Sequence, residues 1–307
     1  MVRNLRRHVS CCPSGGAPVP SKRRRLSAFT KILLSVGLIC GLFVAAGYYV
    51  LTTVDPLDST PDSEPGCRLD LSEGQYEMTI AQTENAATVG GVAFSLNMPR
   101  QAVTVAYATV WQESTFHNVE YGDRDSLGLF QQRPSQEWGE PEEILDPVQS
   151  SRSFYYALAD IEGWRELPVH EAAQQVQRSA DGWAYDQHED LSERMSEALV
   201  GDLGPMVTCW YDDEGLAELQ QAEPDLEGAR KELARVFGVD SKELPLTEAP
   251  QTGDLGWAMA LWSVVHAEQY GLTTVAYDGH RWTASDGVEG AEDWTEAENT
   301  EDGLVLG

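Results

Sequence analysis

Positive charge, histidine and cysteine are all scarce in this chain, and each shortage closes off a class of chemistry. Eight of its 21 Lys and Arg stand before residue 32, ahead of the first acid, Asp55; the other 13 face all 50 Asp and Glu, a formal charge of −37 beyond that point. Such a surface repels phosphate backbones and anionic lipid, so nucleic acid is not an expected partner. Five of the six histidines follow the basic segment (His117, His170, His188, His266 and His280), and no metal-ligand spacing links them. His170-Glu171 lacks the second His of a zinc-protease helix, because residue 174 is Gln. Asp123-x-Asp125 begins like a calcium loop, but Leu127 and Pro134 fill its fifth and twelfth positions. No Ser or Cys triad is recognisable and no repeat is visible. Neither a metal nor another cofactor is expected.

Long apolar runs are equally rare. Only Ile32 to Leu51 stays free of charge for 20 residues, about 30 Å as a helix and enough to cross a hydrocarbon core. The basic cluster before it places the N-terminus in the cytoplasm. The run has no clear Ala-x-Ala site, and bulky Leu38 and Ile39 precede Cys40, so it reads as one uncleaved anchor. The expected order is a basic cytoplasmic tail (1–31), a transmembrane helix (32–51), a Pro-, Ser-, Thr- and Asp-rich linker (52–65), and an extracellular remainder. Cys11 and Cys12 then fall in the cytoplasm and Cys40 in the membrane. Cys67 and Cys209 share an oxidising space, where a disulfide is the economical inference and two separate buried thiols the alternative.

Beyond the linker the pattern is chiefly helical. Leu71 to about Asn97 suits helix with a break near Gly90-Gly91. Pro99 starts another, ending at Glu113-Ser114 and apolar nearly all round, which assigns it to a core; its TVAYATV portion alone would also suit a strand. Residues 141–163 and 169–199 carry further amphipathic patterns. An acidic stretch with two short helical patterns (213–252) leads to a second unit (253–307). There the pattern from Leu255 to Tyr270 predicts a helix with Trp257, Leu261, Val264 and Val265 inward, followed by a hairpin turning at Asp278-Gly279. Trp257, Trp262 and Trp282 either stack on sugar rings or fill a small core. This unit is expected to be an accessory domain, dispensable for chemistry and used for targeting or partner binding.

The chemistry concentrates between Trp111 and Trp138. Glu113 lies at the C-terminal end of an apolar helix, where burial and the negative end of the helix dipole both disfavour a charged carboxylate. A carboxyl kept protonated is what a glycosidic oxygen needs as it leaves. After Glu113-Ser114 comes Asp125-Ser126-Leu127-Gly128-Leu129-Phe130-Gln131. Together they resemble the signature of the lysozyme-like lytic transglycosylases, in which Glu-Ser is followed by a Gly-Ala-x-Gly-Leu-Met-Gln turn. The departures are Asp125, Ser126 and Phe130. The similarity extends over about 130 residues, from roughly Ala81 through YGDRDSLGLFQQRPS, ILDP and AAQQVQRSA to Cys209, and looks like an extended, membrane-anchored actinobacterial branch of this goose-lysozyme-like superfamily.

The resemblance implies a mainly α, lysozyme-like domain over 66–212, following the transmembrane helix and followed by the small α+β unit. It implies catalysis by Glu113 on peptidoglycan glycan strands, without cofactor, with Ser114, Gly128, Leu129, Phe130, Gln131, Gln132, Gln177 and Tyr185 around the substrate. The family's Ala-Tyr-Asn motif, whose Tyr orients the acid, is missing; Gln177-Arg178-Ser179 and Ala184-Tyr185 are both candidates to replace it. Asp123 and Asp125, in the loop after Glu113, are candidate second carboxylates, or simply members of a solvated turn. The leading function is a lytic transglycosylase, whose C-terminal unit would serve wall targeting or bind cell-wall proteins. A lysozyme-type hydrolase and a non-catalytic wall-binding scaffold are the alternatives.

Overall fold

Alternating apolar residues at Cys67 and Leu69, and again at Tyr76 and Met78, build a hairpin ahead of the first helix. The computed structural model describes residues 64–179, 183–239, 252–286, 294–297 and 303–307. In it β1 (Gly66–Leu71) and β2 (Gly74–Thr79) pair antiparallel, with Gly74 at φ 104° in the turn, a conformation costly for any residue with a Cβ. The other edge of β1 pairs with β3 (Val207–Tyr211). Cys67 lies directly opposite Cys209 in that register, and the two form a disulfide. A short strand β6 (Ser285–Asp286), parallel to β3, completes the order β2-β1-β3-β6.

Helix α1 (Ile80–Ser95) opens on a capping box: Thr79 Oγ1 accepts from the Gln82 amide, and Gln82 Oε1 accepts from the Thr79 amide. It runs unbroken through Gly90-Gly91. A Cβ at Gly90 would lie 2.7 Å from the Tyr107 hydroxyl, and one at Gly91 2.5 Å from Val236 Cγ1. These glycines admit close neighbours rather than end the helix. Next, α2 (Arg100–Ser114) is buried from Ala102 through Trp111. Its β-branched residues are helical because tertiary packing outweighs their modest helix propensity. Around it stand α4 (Pro147–Ala159), α5 (Val169–Gln177), α6 (Trp183–Asp186) and α7 (Glu189–Leu199), with α3 (Pro141–Ile144) beside α4.

The acidic stretch forms α8 (Asp213–Gln221) and α9 (Leu226–Phe237), each N-capped by an Asp side chain, Asp212 and Asp225. Every residue of α10 (Leu255–Val265) is buried, against α1, α9 and β3 among others. After α11 (Ala267–Tyr270), strands β4 (Thr274–Tyr277) and β5 (His280–Thr283) form the hairpin that Asp278-Gly279 signals, both turn residues having positive φ. With β7 (Thr295–Glu296) and β8 (Val305–Leu306) they make a second sheet, ordered β7-β5-β4-β8.

These elements correct the expected fold class. About 53% of the described residues are helical, and the others include two four-stranded sheets, so the architecture is α+β rather than a mainly α domain with a small α+β appendage. The described residues, all of which lie between 64 and 307, fall in one compact unit. The reason is α10, which is apolar on every side and therefore shares the core of α1 instead of bounding a separate domain. Trp257, Trp262 and Trp282 are buried in that core. Trp262 Nε1 donates to Thr88 Oγ1 at 3.1 Å and Trp282 Nε1 to Thr208 Oγ1 at 3.2 Å, so the filling role holds and sugar stacking does not. The expected tail (1–31) and membrane helix (32–51) lie outside the described residues. Among the described residues no helix is long and apolar enough to cross a membrane.

Candidate active site

The end of α2 is made by two consecutive left-handed residues, Thr115 (φ 51°) and Phe116 (φ 59°). Neither is glycine, so surrounding contacts must hold the strain. Gln82 Nε2 donates to the Thr115 carbonyl at 2.9 Å and Asn85 Nδ2 to the Phe116 carbonyl at 3.0 Å. Phe116 turns back into the core, edge-on to Tyr107 and Trp111 at 5.4 and 5.1 Å. Glu113 is thereby left half-buried at the lip of the helix. Its neighbour Ser114 donates from Oγ to the Leu129 carbonyl at 2.7 Å, which ties the acid-bearing end to the following turn.

That turn closes through Leu127 and Gln132, whose backbones exchange hydrogen bonds of 2.9 and 3.0 Å. Gly128 has φ 72°, and a Cβ there would stand 2.6 Å from the Ile144 carbonyl oxygen, so both conformation and space call for glycine. Leu129 and Phe130 are fully buried, with Phe130 stacked on Phe154 at 4.5 Å. Gln132 is buried too and donates to the Ser150 carbonyl at 3.2 Å. These three side chains support the turn from behind. Gln131 and Gln177 do reach the open side, and Gln177 Nε2 donates to the Phe130 carbonyl at 2.8 Å.

Of the two candidates to orient the acid, Tyr185 makes the contact. Its hydroxyl donates to Glu113 Oε1 at 2.7 Å, and its ring is buried. Gln177 braces the turn instead.

Glu113 opens onto a cleft of about 790 Å³ whose walls include Asp123, Arg124, Gln131, Arg133, Trp138, Gln177 and Arg178. A second hollow of about 550 Å³ shares Gln136, Glu137, Trp138 and Arg178 with it and adds Tyr156, whose ring is largely exposed. Four wall residues, Arg124, Gln131, Glu137 and Arg178, have positive φ without being glycine. Backbone strain thus gathers at the cleft. The two candidate second carboxylates part company here. Asp123 is exposed on the wall. Asp125 is engaged by the Ser135 hydroxyl (3.0 Å), the Ser135 amide (2.8 Å) and Arg133 Nε (2.8 Å). Those donors hold its carboxyl well below the usual carboxylate range.

Sequence spacing did not single out Arg124, Arg133 or Trp138 as parts of a cleft, and Arg178 stood out only within Gln177-Arg178-Ser179. The available signal was their scarcity: only 13 basic residues follow the basic segment, and three of them, Arg124, Arg133 and Arg178, line the cleft. It also gave no hint that His170, Asp186 and Glu189 converge, each offering a metal-ligating atom within 4.8 Å of the others. No protein-family model matches this chain, and no curated protein matches it.

Proposed function

We propose that this chain cleaves the bond between N-acetylmuramic acid and N-acetylglucosamine in peptidoglycan, as a lytic transglycosylase. The observation that carries the reading is the 2.7 Å hydrogen bond from Tyr185 to Glu113 at the mouth of an open cleft. One carboxyl must then serve twice. Donation from Tyr185 occupies Oε1 and leaves Oε2 to bear the acidic proton. Glu113 gives that proton to the bridging oxygen as the glycosidic bond breaks. The resulting carboxylate takes the proton of the sugar's own 6-hydroxyl as that oxygen bonds to the anomeric carbon, closing a 1,6-anhydro ring. No water is consumed.

Inverting hydrolysis would need a second carboxylate to activate water. Asp125 is a weak base while three donors hold it, which favours the single-acid route; Asp123, exposed on the wall, is the base that a hydrolase would use. Trp138 and Tyr156 offer aromatic faces suited to pyranose rings, and Arg178 suits the carboxylates of a murein strand. The Cys67–Cys209 disulfide favours an oxidising compartment outside the cytoplasm.

Digestion of purified peptidoglycan, with the fragments weighed by mass spectrometry, tests this. Fragments with anhydro ends are expected, and Glu113→Gln should release none while still binding murein. Reducing ends would make the enzyme a hydrolase. Intact murein after binding would reduce it to a scaffold and sink the proposal.

A further inference from the structure

An imidazole nitrogen beside two carboxylates is a donor set that suits a divalent cation, and here the buried imidazole nitrogen has no hydrogen-bond partner. His170 lies on α5, Asp186 ends α6 and Glu189 begins α7; one ligand atom from each stands within 4.8 Å of the other two. His170 Nδ1 is buried and 3.2 Å from Asp186 Oδ1, yet it has no hydrogen-bond partner, so the two atoms are near without being aligned. The imidazole is stacked on Trp183, with centroids 4.8 Å apart and planes 20° from parallel. Among the described residues no Lys or Arg forms an ion pair with Asp186 or Glu189, and Glu193 adds a further negative neighbour to Glu189.

We propose that His170, Asp186 and Glu189 bind one divalent transition-metal ion, with zinc the best match. Imidazole and carboxylate ligate zinc at about 2.0–2.2 Å, in a tetrahedron whose fourth position takes water. Ligand atoms at those bond lengths stand about 3.4 Å apart. His170 and Asp186 are already at that spacing, and rotation of the Glu189 side chain closes the rest. Calcium is a poor fit because it takes six to eight oxygens. An ion here fastens three successive helices, and Asp186 directly follows Tyr185, so it also pins the short helix that carries the phenol. The site stands whether or not the cleft cleaves glycan.

The test uses the full-length, untagged chain with Cys11, Cys12 and Cys40 replaced by Ser, so that free thiols do not compete. After EDTA treatment and dialysis it is titrated with zinc chloride in a calorimeter. One ion per chain is expected, with Kd below about 10 µM, and a rise in Tm on the order of 5 °C at a hundredfold excess over Kd. His170→Gln and Glu189→Gln should each weaken binding at least about tenfold, with helical circular dichroism retained. Absence of zinc binding overturns the proposal, as does binding that both variants leave unchanged. Saturable calcium binding without zinc binding overturns it too.

Discussion

Glu84 offers a test of the packing that is independent of any activity. It lies on α1, half-buried, and its carboxyl is pushed up from the ordinary 4.5 to about 7, first by burial and then by the nearby Glu268 on α11. In the unfolded chain the group titrates near its ordinary value. Between those two pH values the native state therefore binds more protons than the unfolded state, and stability falls as pH rises. Each unit of separation is worth about 1.4 kcal/mol, so ionising Glu84 in place costs on the order of 3 kcal/mol once the pH exceeds about 7. Glu84→Gln keeps the shape of the protonated acid and has nothing to ionise. Measured by urea unfolding, it should match wild type near pH 4.5 and be more stable by about 2–3 kcal/mol at pH 8. His266 does not confuse the comparison. Burial depresses its imidazole to about 3, so its contribution is lost as pH falls below its ordinary 6.5, equally in both proteins. Glu268→Gln should recover a smaller part of the gain, since its charge is the lesser cause. A stability difference that stays constant from pH 4.5 to 8 would refute the reasoning.

Four other outcomes follow from the contacts. Tyr185→Phe keeps the ring and removes only the donor to Glu113; kcat on glycan strands should fall about 10- to 100-fold with KM nearly unchanged. A steady-state assay in which KM rises instead would assign Tyr185 to substrate binding. Replacing Cys67 and Cys209 by Ser should lower unfolding free energy by about 2–5 kcal/mol, read by urea titration against the oxidised wild type. Gly91→Ala drives a methyl into Val236 and Phe237 and should lower stability by about 1–3 kcal/mol, visible as a lower thermal midpoint. Deleting 253–307 removes α10 from the core and should give a protein that binds hydrophobic dye and lacks near-ultraviolet dichroism; a well-packed product would show that α10 is dispensable to the fold.

What the sequence disclosed depended on how local the signal was. The Asp278-Gly279 turn, the buried α2 and the Glu113-Ser114 helix end were legible because each is written in a few adjacent residues. The first hairpin was not. Its alternation covers only six residues per strand, and the apolar run of α1 follows at once, so the two patterns merged into one apparent helix. Gly90-Gly91 resembled a break because sequence cannot distinguish a glycine that bends a helix from one that makes room for Tyr107 and Val236. That the C-terminal segment falls in the same compact unit was hidden for a related reason. An all-apolar helix reveals that it is buried without revealing in which core. At the site, the role of Tyr185 was one of two alternatives until its hydroxyl could be placed, because 72 residues separate it from Glu113.

The strained residues give a physical reason why the candidate site has this shape. In the proposed reaction Glu113 gives and takes a proton, which needs a fixed orientation yet an open face, and regular helix provides only one of these. Burial of α2 supplies the fixed part. Opening the face requires the chain to leave the helix within two residues, and the left-handed pair Thr115-Phe116 does that at a conformational cost. The cost is met by contacts that reach across the fold: α1 side chains on the two carbonyls, and Phe116 between Tyr107 and Trp111. The hydrophobic unit built around α1 is thus also what aims Glu113. Variants that loosen it, Gly91→Ala among them, should then disturb the acid before the protein unfolds.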